Sequence, residues 1–339
     1  MNGPLSKRDR LAGLACSGGA TRVLEWAARR DCLIVLNYHR IGDASATPFD
    51  EEVFSVDVDG FDRQIAYLKR RFTIVTLAEA LELIEGSRRF RGPAVLVTFD
   101  DGYLDNYQAA FPVLRSHGVQ GTFFLVTSYL DDPGVAWWDR IAYWVRNARV
   151  QRLRLSYPSD FEIVLPPGRR NQEIRAVLAF LRSPEMRDLE RFLRELEQAC
   201  DPPPLPAGAR AFLSWDEARE MAAAGMAIGS HTASHQILSK LTAGQQQDEA
   251  LRSRQALEEG LGQTVDALAY PVGAQDCFSH ETKQALERAG YRAGFSFYGG
   301  LNRPGRSDRF DILRFAAGGR FERFRTQVSL AVASGGYWF

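Results

Sequence analysis

Two short fragments of the sequence contain the residue types that a hydrolytic metal centre requires. Residues 98–102 (TFDDG) end an apolar run with two adjacent carboxylates, and residues 231–235 (HTASH) place two imidazoles four positions apart after another apolar run. Two imidazoles and one carboxylate form a common ligand set for a catalytic zinc ion, and that set leaves positions open for water and substrate. The second carboxylate would remain available to move protons.

Each fragment also has an ordinary structural interpretation. Two aspartates before Gly102 are typical of a solvated turn that caps a helix, and two histidines at this spacing often cap a helix or face solvent. The chain has only five histidines, however, and two of them follow the same apolar run. Because both fragments occur in one chain, we favour the metal-site interpretation.

Apolar runs and helical patterns alternate along the chain. Short apolar runs are typical of strands that are covered on both faces, and they occur at 33–36, 94–99, 121–126, 226–230, 267–270 and 293–297. The alternation predicts an α/β fold with a parallel sheet, either open or closed into a barrel. In both layouts functional groups collect at the carboxyl ends of the strands. Such ends carry the Asp pair, the His pair, Tyr38-His39 and Pro271-Val272.

The stretch at 131–210 differs in character from the rest of the chain. It contains helical patterns without a regular alternation with strands, and it ends in a proline-rich run at 202–206 that is typical of a boundary. We therefore predict an N-terminal helical segment at 1–30, a barrel formed by 31–130 and 211–320, a largely helical insertion at 131–210 and a C-terminal segment at 321–339.

The insertion is rich in aromatic residues, which could form a wall of a sugar-binding cleft. Trp137, Ile141 and Trp144 share a helical spacing, however. Such a stripe is more often part of a core, so we favour packing as its role.

The overall charge and the cysteines exclude several classes of protein. Lys plus Arg and Asp plus Glu both number 42, so no global field favours nucleic acid or an anionic membrane. The four cysteines are far apart and form no CxxC pair, which argues against a disulfide framework or a zinc ribbon. The sequence identifies no protein partner.

The sequence contains no convincing membrane span or export signal. No run approaches the roughly 18–20 apolar residues of a transmembrane helix. The apolar run at 11–16 follows basic residues, but it is shorter than the roughly 7–15 residues that a signal peptide needs. These features favour a cytoplasmic location and an amphipathic first helix.

The two fragments in this order resemble the first two motifs of the polysaccharide deacetylase family, the NodB-homology carbohydrate esterases that remove N-acetyl groups from amino sugars. Residues 269–273 (AYPVG) resemble a variant of the third motif, and residues 36–42 (LNYHRIG) resemble a segment of the exopolysaccharide-associated branch. The resemblance implies a distorted, incomplete (β/α) barrel of the NodB-homology type.

The resemblance also implies a role for each residue of the first two motifs. Asp101, His231 and His235 would hold a divalent metal, with zinc as the expected ion. Asp100 would be the catalytic base that takes a proton from the attacking water. The implied partner is an N-acetylated glycan or glycan precursor as substrate.

The third motif departs from the family pattern. The resemblance makes the Val272 backbone N–H an oxyanion donor and places Tyr270 and Pro271 against the substrate. The arginine that usually orients the catalytic aspartate aligns with Ala269, however. Arg314 is a candidate replacement, and an ordinary surface arginine is an equally good interpretation of it.

The general acid is a second departure. The family's late Leu-x-His motif has no match, because no histidine follows His280. The candidates for donating a proton to the leaving amine are His39, the protonated Asp100 and water.

Three functions fit these observations. The leading hypothesis is a metal-dependent N-deacetylase that acts on an amino sugar of a polysaccharide or glycan precursor. The alternatives are a metal-dependent amidase that acts on a small non-saccharide amide and a non-catalytic glycan-binding relative. The fold and the metal ligands do not separate the first two, because the shape of the cleft decides the substrate.

Overall fold

The computed structural model describes residues 13, 21, 31–132, 134–168, 170–206 and 210–334. The chain forms two units. The larger unit comprises the described residues within 1–43, 54–132 and 212–339, and the smaller unit comprises those within 44–53 and 133–211. The predicted helical segment at 1–30 lies almost entirely outside the described residues.

Strands occur in both units, and most of them belong to the larger one. In chain order they are β1 (Cys32–Tyr38), β2 (Arg40–Ile41), β3 (Phe54–Val56), β4 (Thr73–Ile74), β5 (Pro93–Phe99), β6 (Thr122–Leu125), β7 (Arg152–Leu155), β8 (Phe161–Val164), β9 (Ala227–Ser230), β10 (Ala267–Ala269), β11 (Ala293–Phe295) and β12 (Phe315–Ala316).

Helices connect these strands. In chain order they are α1 (Val58–Arg71), α2 (Leu77–Glu85), α3 (Phe111–His117, after a π-helical turn at Asn106–Ala110), α4 (Thr127–Asp131), α5 (Trp137–Asn147), α6 (Asn171–Phe180), α7 (Leu189–Cys200), α8 (Trp215–Ala223), α9 (Ala243–Leu261), α10 (His280–Arg288) and α11 (Phe321–Ser334).

An eight-stranded sheet forms the centre of the larger unit. Seven strands follow the order β11-β10-β9-β6-β5-β1-β12, and β4 pairs with β5 beside them. Every pairing within this sheet is parallel. The carboxyl ends of the strands therefore meet at one edge of the sheet, as the sequence predicts.

The central strands are buried on both faces, which explains their continuous apolar runs. All seven residues of β1 are buried. Ile34 and Leu36 belong to the core on one face of the sheet, and Leu33 and Val35 belong to the core on the other. This alternation follows from the two-residue period of a strand.

The smaller unit has its own core. Helices α5, α6 and α7 and the antiparallel pair β7–β8 enclose the side chains of Trp144, Val177 and Phe192. Ile141 and Trp144 are almost fully buried in this core, so the interpretation of the aromatic stripe as packing is confirmed.

The loop at 44–53 belongs to the smaller unit, whereas the sequence analysis assigned it to the barrel. Phe49 is buried in the core of that unit. Arg146 on α5 lies 3.6 Å from a carboxylate oxygen of Glu51. These contacts join segments almost a hundred residues apart, so no local pattern could predict them.

Two smaller findings concern the membrane and the cysteines. Among the helices of the described residues, none combines the length and the apolar composition that a membrane crossing requires. Of the four cysteines, Cys32, Cys200 and Cys277 lie in the described part of the chain, and they form no disulfide there.

Packing at Gly229 in β9 provides a test of the fold. A Cβ atom there would lie 2.5 Å from ring atoms of the buried Phe124 and 3.1 Å from the carbonyl oxygen of Ala267. We expect Gly229→Ala to lower the free energy of unfolding by about 1–3 kcal/mol in urea titrations, because the crowded strands must separate. The control is Gly244→Ala in the first turn of α9, where a Cβ meets no atom within 4 Å. It should leave stability unchanged or raise it by up to about 1 kcal/mol, and equal effects at both positions would contradict the described packing.

Candidate functional site

The two sequence fragments meet at the carboxyl edge of the sheet. Asp100 and Asp101 follow β5, His231 follows β9, and β6 lies between these two strands. Asp101, His231 and His235 each offer one ligand atom, and these three atoms lie within 4.8 Å of one another. Asp101 Oδ1 is 3.4 Å from His231 Nε2 and 3.3 Å from His235 Nε2. The structure therefore brings the three predicted ligands together.

Strained backbone is concentrated in these segments. Among the described residues, five non-glycine residues have positive φ angles, and four of them are Asp101 (73°), Thr232 (68°), His235 (56°) and Val272 (63°). Such conformations cost on the order of 1–3 kcal/mol each and persist only where the surroundings enforce them. Two of these residues are β-branched, for which the cost is greatest.

Neighbouring elements hold the strained histidine segment in place. The backbone N–H groups of Thr127 and Ser128 donate to the carbonyls of Thr232 and Ala233 at 3.3 and 2.9 Å. Glu249 on α9 accepts hydrogen bonds from the N–H groups of Ala233 and Ser234 at 2.9 and 3.0 Å and from the Ser234 hydroxyl at 2.6 Å. Sequence reasoning missed Glu249, because it is one acid among several on a polar helix.

A hydrogen bond fixes the orientation of the His231 ring. Its Nδ1–H donates to the carbonyl oxygen of Ala269 at the end of β10, at 2.8 Å. A carbonyl can only accept, so Nδ1 carries a proton, and in the neutral ring the lone pair lies on Nε2, on the side of Asp101. A second-shell bond of this kind selects the tautomer of a metal-binding histidine.

The residues present fit a divalent cation. Asp101 Oδ1 is buried and takes part in no hydrogen bond within the described residues, although two imidazole nitrogens lie within 3.4 Å of it. Burial raises the pKa of Asp101, but its contacts with His231 and His235 and the charge of His39 together lower that pKa by more than burial raises it. The carboxylate is therefore charged. A buried anionic oxygen facing two imidazoles is a donor set that zinc prefers.

A bidentate ion pair holds the second carboxylate. Arg314 donates through Nη1 to Asp100 Oδ1 at 2.6 Å and through Nη2 to Asp100 Oδ2 at 2.8 Å. The side chain of Arg314 is fully buried, and its Nε–H donates to the carbonyl of Ser296 at 2.9 Å. Arg314 is therefore not a surface residue, and it contacts Asp100 directly.

The ion pair determines the charge and the place of Asp100. Burial raises the pKa of Asp100, but the charge and hydrogen bonds of Arg314, together with the charges of His231 and His39, lower it by more, so the net pKa lies below its usual value. Asp100 Oδ2 lies 4.0 Å from His231 Nε2. Asp100 is thus a charged carboxylate beside the three-residue cluster.

His39 lies at the carboxyl end of β1. Its ring is partly exposed, and its centroid is 5.7 Å from that of Phe297. A positive charge on His39 would lower the pKa of both Asp100 and Asp101. Within the described chain, no hydrogen bond from the His39 ring is present.

The third motif forms a tight turn around Val272. The N–H of Gly273 donates to the carbonyl of Pro271 at 2.7 Å, across Val272 with its positive φ. This is a γ-turn in its rare and strained form. The Val272 N–H makes no hydrogen bond to any described residue, so it is available to an acceptor from outside the protein.

The structure corrects the prediction for Tyr270 and Pro271. Tyr270 is fully buried, its hydroxyl donates to the carbonyl of Phe310 at 2.8 Å, and its ring stacks on Phe278 at 4.2 Å. Pro271 is buried as well. Tyr270 is therefore a core residue, and neither side chain offers a free surface to a substrate.

Comparisons with known proteins agree with this geometry. A family model described as polysaccharide deacetylase matches residues 87–294. The chain is 23% identical over 263 residues to YxkH of Bacillus subtilis (strain 168), which is assigned to the polysaccharide deacetylases, and the match covers 77% of this chain and 63% of that protein. It is 29% identical over 101 residues to the poly-beta-1,6-N-acetyl-D-glucosamine N-deacetylase of Escherichia coli (strain K12), covering 30% of this chain and 15% of that one. The chain thus spans less than two thirds of the length of these relatives.

Solved structures share the fold. The structure of IcaB from Ammonifex degensii is similar with a TM-score of 0.58 and 21% identity, over 90% of this chain and 98% of that one. The parallel sheet curled into a half-barrel with helices matches this fold, so the predicted distorted (β/α) barrel is confirmed.

Removing Arg314 should be costly, because it leaves a buried carboxylate without its counter-ion. We expect Arg314→Ala to lower the free energy of unfolding by about 3–5 kcal/mol in urea titrations. Arg292→Ala, which removes an exposed ion pair with Glu85, should cost at most about 1 kcal/mol. The double variant Asp100→Ala/Arg314→Ala should regain part of the loss, and a double variant less stable than Arg314→Ala would contradict this account.

Glu249 should control metal affinity through the histidine segment. We expect Glu249→Ala to raise the zinc Kd by about 10–100-fold, because the segment that presents His235 loses two backbone hydrogen bonds and one from the Ser234 hydroxyl. Glu249→Gln keeps an acceptor for both N–H groups and should bind zinc nearly as the wild type does. Competition with a chromophoric chelator measures these constants, and Asp248→Ala on the same helix is the exposed control. Equal zinc affinity of Glu249→Ala and Asp248→Ala would count against this role.

Proposed function

Because the chain belongs to the polysaccharide deacetylase family, we propose that it is a metal-dependent hydrolase that removes N-acetyl groups from amino sugars of a polysaccharide or glycan precursor. The observation that carries this proposal is the juxtaposition of two sets of residues. A charged Asp100 held by Arg314 lies 4.0 Å from a ligand of the cluster formed by Asp101, His231 and His235.

The three-residue cluster is the proposed metal site. Asp101, His231 and His235 would hold the ion, and their one oxygen and two nitrogen donors favour zinc. A bound ion of this kind supplies Lewis acidity, which polarises a carbonyl oxygen and lowers the pKa of a water molecule.

Asp100 is the proposed general base. It lies beside the three ligands and is not one of them. Instead, Arg314 donates a hydrogen bond to each of its two oxygens. Its Oδ2 faces His231 Nε2 at 4.0 Å. A water between Asp100 and the acetamide carbonyl would lose its proton to this carboxylate as it attacks.

Two further groups complete the proposed reaction. The Val272 N–H donates a hydrogen bond to the acetyl oxygen as negative charge develops there; the finding that no described residue accepts from this N–H supports the role. The C–N bond then breaks, the amine nitrogen takes a proton, and acetate leaves. His39 is the proposed donor of that proton, because it directly follows β1, the neighbour of β5, and its partly exposed ring has no hydrogen bond within the described residues.

The proposed substrate class is a glycan of N-acetylated glucosamine units. The support is the match to a poly-beta-1,6-N-acetyl-D-glucosamine N-deacetylase over 30% of this chain. Short oligomers of β-1,6-linked N-acetylglucosamine are therefore the first substrates to test.

Metal content and acetate release test the proposal together. Asp100→Asn should retain bound zinc and lose acetate release by at least about 100-fold, because the ligands remain and the base is lost. His235→Ala should lose both zinc and activity. His280→Ala, which changes an exposed histidine on α10, is the control and should change neither.

The outcomes separate the competing functions. Zinc binding with no acetate release from any glycan, but with hydrolysis of small amides, would favour the amidase. Zinc binding without hydrolysis of either would favour the glycan-binding relative. A protein that binds no zinc at neutral pH, or an active Asp100→Asn, would overturn the proposed mechanism.

A further inference from the structure

A buried amide lies between the two members of the ion pair. Asn37 in β1 is 1% exposed. Its Nδ2–H donates to Asp100 Oδ2 at 2.9 Å, and its Oδ1 accepts from Arg314 Nη1 at 2.9 Å. The Thr98 hydroxyl also lies 3.0 Å from this Oδ1. A guanidinium can only donate, so the orientation of the amide is determined.

Strand register explains why these groups meet. Asn37 pairs with Thr98 in the parallel ladder of β1 and β5, and the ladder continues past β5 because the Asp100 N–H donates to the carbonyl of Tyr38 at 3.0 Å. Thr98 and Asp100 are two residues apart and lie on one face. On the other side of β1, Leu36 pairs with Phe315 of β12, which directly follows Arg314. Three neighbouring segments therefore each supply one member of a buried triad of Asp100, Asn37 and Arg314.

We infer that Asn37 is a positioning residue that fixes the orientation of the Asp100 carboxylate for proton transfer. This inference rests on the proposed function, in which Asp100 is the base. Arg314 holds both carboxylate oxygens from one side. Asn37 donates to Oδ2 from a different strand and so adds a third hydrogen bond that restricts the orientation of the carboxylate. Oδ2 is also the oxygen 4.0 Å from His231 Nε2, on the side of the proposed metal site.

A second buried asparagine provides a matched comparison. Asn302 is fully buried. Its amide donates to the carbonyls of Leu33 and Leu313 at 3.3 and 2.8 Å and accepts from the Leu313 N–H at 2.9 Å. All of these partners are backbone groups. Asn302 therefore tests what loss of a buried amide does to the fold without a direct contact with Asp100.

The experiment measures kcat, KM, zinc content and Tm of the full chain on β-1,6-linked N-acetylglucosamine oligomers. Asn37→Ala should lower kcat by about 10–100-fold, because a misplaced base loses the productive geometry. KM and zinc content should stay within about twofold of wild type, since the variant leaves unchanged the contacts that bind the substrate equally in its ground and transition states. Asn37→Asp keeps the shape but turns the donor into an acceptor, and it should lower kcat at least as far. Asn302→Ala should lower Tm and leave kcat of the folded enzyme unchanged.

A double variant distinguishes positioning from a general structural effect. In the Asp100→Asn background, Asn37→Ala should cause no further loss of residual activity, because Asn37 acts through the carboxylate. Should Asn37→Ala fail to fold, Thr98→Val removes the hydroxyl beside Asn37 Oδ1 and keeps the β-branched shape; it should lower kcat with KM unchanged.

The results that would overturn the inference differ from those against the proposed function. An unchanged kcat in Asn37→Ala overturns the inference, and so does an unchanged kcat in Thr98→Val if that variant has replaced it. The proposed function is unaffected by this result as long as Asp100→Asn is inactive. Additive losses in the double variant overturn it too. An active Asp100→Asn instead removes the proposed function and the inference together.

Discussion

A carboxylate buried at the end of β5 is paired with a fully buried arginine, which donates to it through both terminal nitrogens. Charges removed from water are costly unless they are paired and hydrogen-bonded. Arg314 meets this requirement through Asp100, Asn37 and the carbonyl of Ser296. The parallel pairing of β5, β1 and β12 brings these groups together. The ion pair that keeps the candidate base charged therefore depends on the order of these strands.

The ligand cluster depends on a different constraint, the strained backbone that presents it. Asp101 and His235 have positive φ angles, which direct their side chains away from the course of an ordinary strand end. Hydrogen bonds from α4 and Glu249 hold the histidine segment in this conformation. The two adjacent aspartates of one motif therefore have different partners: Asp101 faces the histidines, and Asp100 faces Arg314.

The guanidinium beside Asp100 does not come from the third motif. Ala269 stands where the family pattern predicts an arginine, and Arg314 instead precedes β12. Phe315 of β12 pairs with Leu36 near the carboxyl end of β1, and this register brings Arg314 next to the carboxylate that follows β5. Strand register thus allows a distant segment to supply a charge that the third motif lacks.

The sequence by itself determined the alternation of elements, the parallel sheet and the three residues that the structure clusters, because apolar periodicity and motif spacing are local properties. Only the tertiary structure decided the partners. Arg314 and Asn37 are 214 and 63 positions from Asp100 in the sequence. Tyr270 lies in the core, where its hydroxyl donates to the carbonyl of Phe310. Contacts at such separations follow from strand order and register, which a linear pattern does not specify.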